Sequence, residues 1–290
     1  MSENVIFIRH ILDKKDETES MYNQYKIAYN NDGKPWNTTN KDYIGYKIFD
    51  KLLKEPEKYL VIAEYENKIL VGKIEKKSKV GYEYGKYKTL QFSKESIKKY
   101  YPSEDFPVYQ AVRPQKSTCC EPHTAFMTKV LPFIYKHEDN QKIQATTELL
   151  HANVIEQMCE EYLRQKGYDE TDEKSKLDYS SCRVGKTMKD FDIVGRAKNG
   201  RTVLAQVKSD NVSKYLGLYE NIKKEDNKVY IVFADGENNQ KPIFKNKELN
   251  IQFIPIKSIY KYFVRNNRQM IIDMIGLSEK YKELIKFDED

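Results

Sequence analysis

The stretch FDIVGRAKNGRTVLAQVK, residues 191–208, holds two short apolar runs around the turn-forming segment AKNGR. It reads as a β-hairpin. Successive side chains of a strand point to opposite faces, so Gln206 and Lys208 share one face while Val207 takes the other. On the first strand Phe191 and Ile193 share a face and Asp192 opposes them. The turn decides whether Asp192 joins Gln206 and Lys208. A two-residue Asn199-Gly200 turn pairs Asp192 with Val207 and places the aspartate on the wrong face. A three-residue loop of Lys198, Asn199 and Gly200, with Gly200 left-handed in a bulge, pairs Asp192 with Gln206. Glycine as the third loop residue suits the second geometry, which is the expected one.

Aspartate, glutamine and lysine converging on an apolar hairpin suit phosphodiester hydrolysis. Water must be driven into an already anionic phosphorus, so a hard cation is needed to absorb charge. Carboxylate and amide oxygens suit Mg²⁺, which keeps several waters. Asp192 is the natural ligand. Lys208 is placed to contact the scissile phosphate or hold the attacking water. Gln206 offers only a neutral oxygen, so a further carboxylate has to come from elsewhere. The helix before the hairpin supplies Glu156, Glu160 and Glu161 as candidates. Asp190 is a weaker one, two residues before Asp192 and more simply a solvent-facing strand start, and His151 reads as an ordinary hydrogen-bonded histidine.

With that helix included, IEQMCEEYLRQKGY, FDIVG and LAQVK resemble the three core elements of the PD-(D/E)xK nuclease superfamily, in particular its Mrr-like restriction endonuclease branch. The likeness lies in a glutamate near the start of the first core helix, a Gly-Tyr at its end, an aspartate in an apolar strand, and QxK in the next strand. It implies that Glu156 takes the helix glutamate's role, Asp192 the metal-ligand role, and Gln206 and Lys208 the QxK roles, with Asp192, Glu156 and Gln206 holding Mg²⁺, for which Mn²⁺ can substitute. It spans about residues 143 to 264. Glutamine stands where the wider superfamily has an acidic residue, which leaves the number of bound ions open.

The bulk properties agree with a folded protein acting on a polyanion. The chain has 290 residues, enough for two modest domains that each bury a core. It is 39% hydrophobic and 32% charged, with 23 tyrosines that supply apolar area together with a hydroxyl. The net charge of +6 is a mild bias towards nucleic acid. No apolar run of about 18 residues could span a bilayer, and the N-terminus lacks a signal-peptide core, so no membrane association and a cytoplasmic location are expected. Cys119, Cys120, Cys159 and Cys182 show no CxxC spacing; reduced, structural thiols are expected.

The pattern changes near residue 138, which divides a β-rich α+β domain (1–138) from the nuclease-like α/β domain with a mixed sheet (139–290). In the first domain VIFIRHI reads as a strand. Met21, Tyr22, Tyr25, Ala28 and Tyr29 recur at helical spacing. A helix capped by Thr39 or Asn40 runs through Ile44, Ile48 and Leu52 to Pro56. The segment KYLVIAEYENKILVGKI reads as a hairpin, and YKTLQF and VYQAVRP as strands. In the second, residues 141–168 read as one long amphipathic helix stopped by Gly167. The hairpin, a helical pattern through SKYLGLYENIKKE, the strands KVYIVF and IQFIPI, and helices around SIYKYFV and MIIDMIGLSEKYKELIKF follow.

A nuclease core alone is indiscriminate, so the first domain is expected to select DNA. Trp36, Tyr82, Tyr84, Arg113 and Lys116 are candidate DNA contacts. YLVIAEYENKILVGKI also faintly resembles the start of a PUA-like or EVE-like barrel, folds that hold flipped modified bases; this implies a modification-dependent endonuclease. The main expectation is a Mg²⁺-dependent type II restriction or phage-defence endonuclease cutting duplex DNA as a homodimer, with a cognate methyltransferase protecting the host. The alternatives are the modification-dependent enzyme, a catalytically silent DNA-binding protein on a nuclease fold, and an RNA-processing or repair nuclease.

Overall fold

The structure, a computed structural model, describes residues 4–12, 14–30, 41–115, 117–137, 141–181, 191–208, 225–235 and 251–288. The chain is mixed α/β and packs as two compact units. One comprises Met1–Leu149 with Ile272–Asp290, the other Leu150–Ile271. The division therefore falls after residue 149 rather than near 138, and the C-terminal segment returns to the first unit. The reason is a parallel strand pair: Ile285 and Lys286 lie against Ile143 and Gln144, and Ala145 N–H donates to Lys286 O at 2.8 Å.

In the first unit the elements run β1 (Asn4–His10), α1 (Lys15–Asn23), β2 (Lys26–Asn30), α2 (Ile44–Lys54), β3 (Tyr59–Tyr65), β4 (Lys68–Gly72), β5 (Gly81–Glu83), β6 (Tyr87–Gln91) and β7 (Lys98–Tyr100). Short helices α3 (Pro102–Asp105) and α4 (Tyr109–Val112), strand β8 (Cys119–Cys120), α5 (Leu131–Lys136) and β9 (Ile143–Gln144) follow. One sheet has the order β7-β4-β3-β1-β8, with β1 and β3 parallel; a second has the order β2-β6-β5. Ile6, Ile8, Ile27, Phe49, Leu52, Val61 and Leu90 fill the core between them.

Two expectations for this unit change. The helix covering Met21 and Tyr22 stops at Asn23, because Tyr25 adopts a left-handed φ of 56°. Ala28 and Tyr29 then belong to a strand, with Ile27 buried opposite Leu90. The apolar segment VYQAVRP forms helix α4 instead of a strand. A helical turn sets Tyr109 and Arg113 four residues apart on one side, and both reach the buried Glu64. Thr39, Asn40, Trp36 and Lys116 lie outside the described residues.

In the second unit α6 (Ala152–Gln165) precedes β10 (Leu177–Ser180), β11 (Ile193–Ala197), β12 (Thr202–Lys208), β13 (Lys228–Ala234), β14 (Ile251–Ile254) and α7 (Ile256–Asn266). The sheet order β10-β11-β12-β13-β14 is antiparallel up to β12 and parallel beyond it. It is therefore a mixed sheet, as expected. The helix begins at Ala152, well inside the expected span, because Ile143 and Gln144 are drawn into β9 and Thr147–Leu149 form a separate short turn. The Nδ1 of His151 accepts from Asn153 N–H at its start. Its buried side carries Val154, Ile155, Met158, Cys159, Tyr162 and Leu163. The segment SKYLGLYENIKK, Cys182 and Asp190 lie outside the described residues. From α8 (Arg268–Ile275) the chain passes through Gly276, whose φ of 95° ends the helix, to β15 (Ile285–Lys286), so the final helix expected to reach residue 287 is cut short.

Gly167 ends α6 with φ +81°, and a Cβ there would come within 2.9 Å of Lys176 N. Gly167→Ala is expected to destabilise the protein by roughly 1–3 kcal/mol, read as a lower midpoint in urea denaturation.

Candidate functional site

The hairpin adopts the three-residue loop. Ala197 N–H donates to Arg201 O at 2.9 Å, Gly200 N–H donates to Ala197 O at 2.8 Å, and Gly200 has φ +82°. Behind it Ile193 pairs with Ala205 and Gly195 with Val203; the ladder begins at Ile193, one residue after Asp192. The Asp192 N–H donates to Ala205 O at 2.9 Å, and its Oδ2 accepts from Val207 N–H at 2.8 Å. Backbone and carboxylate thus bind either side of Gln206, and the side chain is held against β12 at the point where β11 begins.

Gln206 is buried and Lys208 half-buried, two residues apart on one strand. Parallel pairing sets Gln206 beside Val232 and Lys208 beside Ala234. One residue past Ala234, at the carboxyl end of β13, stands Asp235. Its Oδ1 accepts from Lys257 N–H at 3.0 Å.

Helix α6, which carries Glu156, packs against β12. Cys159, on α6, is fully buried. Burial pushes its thiol well above the ordinary range, and the negative charges of Glu156, Asp235 and Asp192 push it further. Glu156 lies three residues before Cys159 on α6, and Glu156 and Asp192 both belong to the second unit. The neighbouring helix glutamates are turned to other tasks. Glu160 Oε1 accepts from Arg164 Nη2 at 2.7 Å and from Ser180 Oγ at 2.6 Å, and Glu161 Oε1 accepts from Gln165 at 2.8 Å.

Asp235 was missed from the sequence. It lies outside any D…QxK spacing, and only the parallel pairing of β12 with β13 brings it to the same edge as Lys208.

Among the described residues no three His, Cys, Asp or Glu side chains stand close enough to ligate one ion. The groups of Asp192, Glu156 and Gln206, two carboxylates and an amide oxygen, are of the donor types that Mg²⁺ takes while keeping several waters.

The first unit contains a different site. Glu64, at the end of β3, is buried; its Oε1 accepts from Arg113 Nη1 at 2.7 Å and its Oε2 from Tyr109 Oη at 3.0 Å. Burial pushes its carboxyl above the usual range against the pull of Arg113. A cavity of about 420 Å³ opens there, lined by Arg9, His10, Lys15, Glu64, Glu66 and Arg113 among others. Of the candidate DNA contacts Arg113 lines this cavity, whereas Tyr82 and Tyr84 are exposed around β5.

Comparison with known protein families, characterised proteins and solved structures finds no match to this chain. Among the described residues no helix is long and apolar enough to cross a membrane.

Proposed function

We propose that the chain is a Mg²⁺-dependent endonuclease that hydrolyses phosphodiester bonds in duplex DNA, of restriction or phage-defence type. The observation that carries this is the Asp192 carboxylate held beside the buried Gln206 by Val207 N–H, on a strand against which the helix bearing Glu156 packs. A solvated face of a hairpin has no reason to bury Gln206 or to tie down an aspartate at both its amide and its carboxylate.

Asp192 and Glu156 would hold the ion, with the amide oxygen of Gln206 as a neutral third donor. When bound, the ion withdraws charge from the phosphate and lowers the pKa of water. Lys208 supplies a positive ammonium that hydrogen-bonds a non-bridging phosphate oxygen or the attacking water. Gln206 accepts a hydrogen bond from that water and orients it without adding charge. Val207 N–H fixes one oxygen of Asp192, so little reorganisation is needed when the substrate arrives.

The test is incubation of the purified protein with unmodified and cytosine-modified duplex DNA, in Mg²⁺, in Mn²⁺ and in EDTA. Cleavage in either metal and none in EDTA is expected; no cleavage of any DNA under all conditions overturns the proposal. Lys208→Ala is expected to slow cleavage on the order of 10²–10³-fold. A homodimer would place two centres on the two strands, and an unmodified-site enzyme would need a methyltransferase partner.

The cavity of the first unit favours a second reading, a modification-dependent enzyme. Its volume falls within the range of small-ligand sites. Its described lining holds no Tyr, Phe or Trp, so charged groups such as Arg113 and Glu64, rather than a ring stack, would contact an extruded base. Cleavage confined to modified DNA, lost in Arg113→Gln, would select this reading over the first.

A further inference from the structure

Asp235 carries an inference beyond the four groups named from the sequence, and it rests on the endonuclease proposal above. Strands β12 and β13 are parallel, so both end at the same edge of the sheet, the carboxyl edge at which ligands of open parallel sheets bind. Lys208 closes β12 there, paired with Ala234, and Asp235 is the next residue of β13. Strand β14 ends at the same edge, Ile254 beside Phe233, and leads through Pro255 into α7.

The first turn of α7 has no cap from its own N-cap residue, Pro255. Asp235 supplies one from a distance, by accepting from Lys257 N–H. Its carboxylate therefore has a fixed place between the sheet edge and the helix, half-buried, on the strand next to Val207, whose N–H holds the Asp192 carboxylate.

We propose that Asp235 is a positioning residue of this centre, whose carboxylate anchors α7 to the carboxyl edge and whose charge strengthens the hold of Asp192 and Glu156 on a divalent cation. Its role is not that of a ligand: its Oδ1 is engaged by Lys257 N–H. Its contribution is a third negative charge within electrostatic reach, offsetting the positive charge of Lys208 and the missing charge at Gln206. A charge acting through partly screened protein changes cation affinity by about tenfold, far less than a lost ligand does.

The experiment is a titration of the full chain with Mn²⁺, followed by the electron paramagnetic resonance of the free ion, for the parent protein, Asp235→Asn, Asp235→Ala and Asp192→Asn. Asparagine keeps an oxygen for Lys257 N–H and removes only the charge. Asp235→Asn is expected to keep the parent melting temperature and bind Mn²⁺ about tenfold more weakly, whereas Asp235→Ala also melts lower. Unchanged Mn²⁺ affinity in Asp235→Asn, alongside a large loss in Asp192→Asn, overturns the role of Asp235 and leaves the centre intact. Unchanged affinity in both variants, or no Mn²⁺ binding by the parent, overturns the metal centre itself and the role of Asp235 with it.

Discussion

Asp192→Asn is expected to reduce Mg²⁺-dependent DNA cleavage by about 10³-fold or more while the protein remains folded, because a cation's stabilisation of developing charge is worth several kcal/mol. The two outcomes separate because Asp192 has two tasks. Its Oδ2 accepts from Val207 N–H, a bond that an asparagine oxygen can also accept. Its negative charge is needed only for the ion. Asp192→Ala should therefore be worse in a distinguishable way: it loses cleavage and also leaves Val207 N–H without an acceptor, at a cost of about 1–3 kcal/mol. Circular dichroism melting beside the cleavage assay checks both. Parent-level activity in Asp192→Asn would exclude this aspartate from the chemistry.

The second large effect is acid sensitivity of the first unit, centred on His10. The ring is buried at the end of β1 and stacks on Tyr65 with centroids 4.1 Å apart. Ala28 N–H donates to Nε2 at 2.9 Å, so Nδ1 must carry the proton that it shares with Glu64 O at 2.9 Å. A second proton has no acceptor to meet. Burial accordingly lowers the ring's pKa from 6.5 to about 4, against the opposing bond to Glu64. The unfolded chain takes up a proton below pH 6.5 and the folded one only near 4, so this contribution is fully present above 6.5 and declines as pH falls towards 4. The loss is about 3 kcal/mol from the size of that shift. Glu64, whose carboxyl is raised by burial, works in the opposite sense, so the ring itself should be observed. Nitrogen-15 shifts are expected to show a neutral Nδ1–H tautomer down to about pH 5; a ring that titrates near its ordinary pKa would contradict this account.

The hairpin was legible in the sequence because two local signals agreed. Alternation set the faces of Gln206 and Lys208, and Gly200 as third loop residue set the register. The bond from Val207 N–H to Asp192 was not legible, since it depends on how β11 leaves the ladder. Helical spacing failed at Tyr25, where a left-handed tyrosine ends α1 and sheet pairing with β6 claims the next residues. It failed again before Ala152, where the distant C-terminus supplies a strand partner. At VYQAVRP an apolar run of strand length formed a helical turn because Tyr109 and Arg113 both bind one buried carboxylate. Asp235 shows the same limit at the site: its place beside the end of β12 is produced by a parallel crossover, which no local pattern encodes.

The most direct measurement is anomalous diffraction from crystals soaked in Mn²⁺. A peak about 2.0–2.3 Å from the Asp192 carboxylate, on the side of Glu156 and Lys208, is predicted, at the bond lengths of hard oxygen-bound cations. Mn²⁺ bound elsewhere, with no density at Asp192 in a fully occupied crystal, would contradict the account.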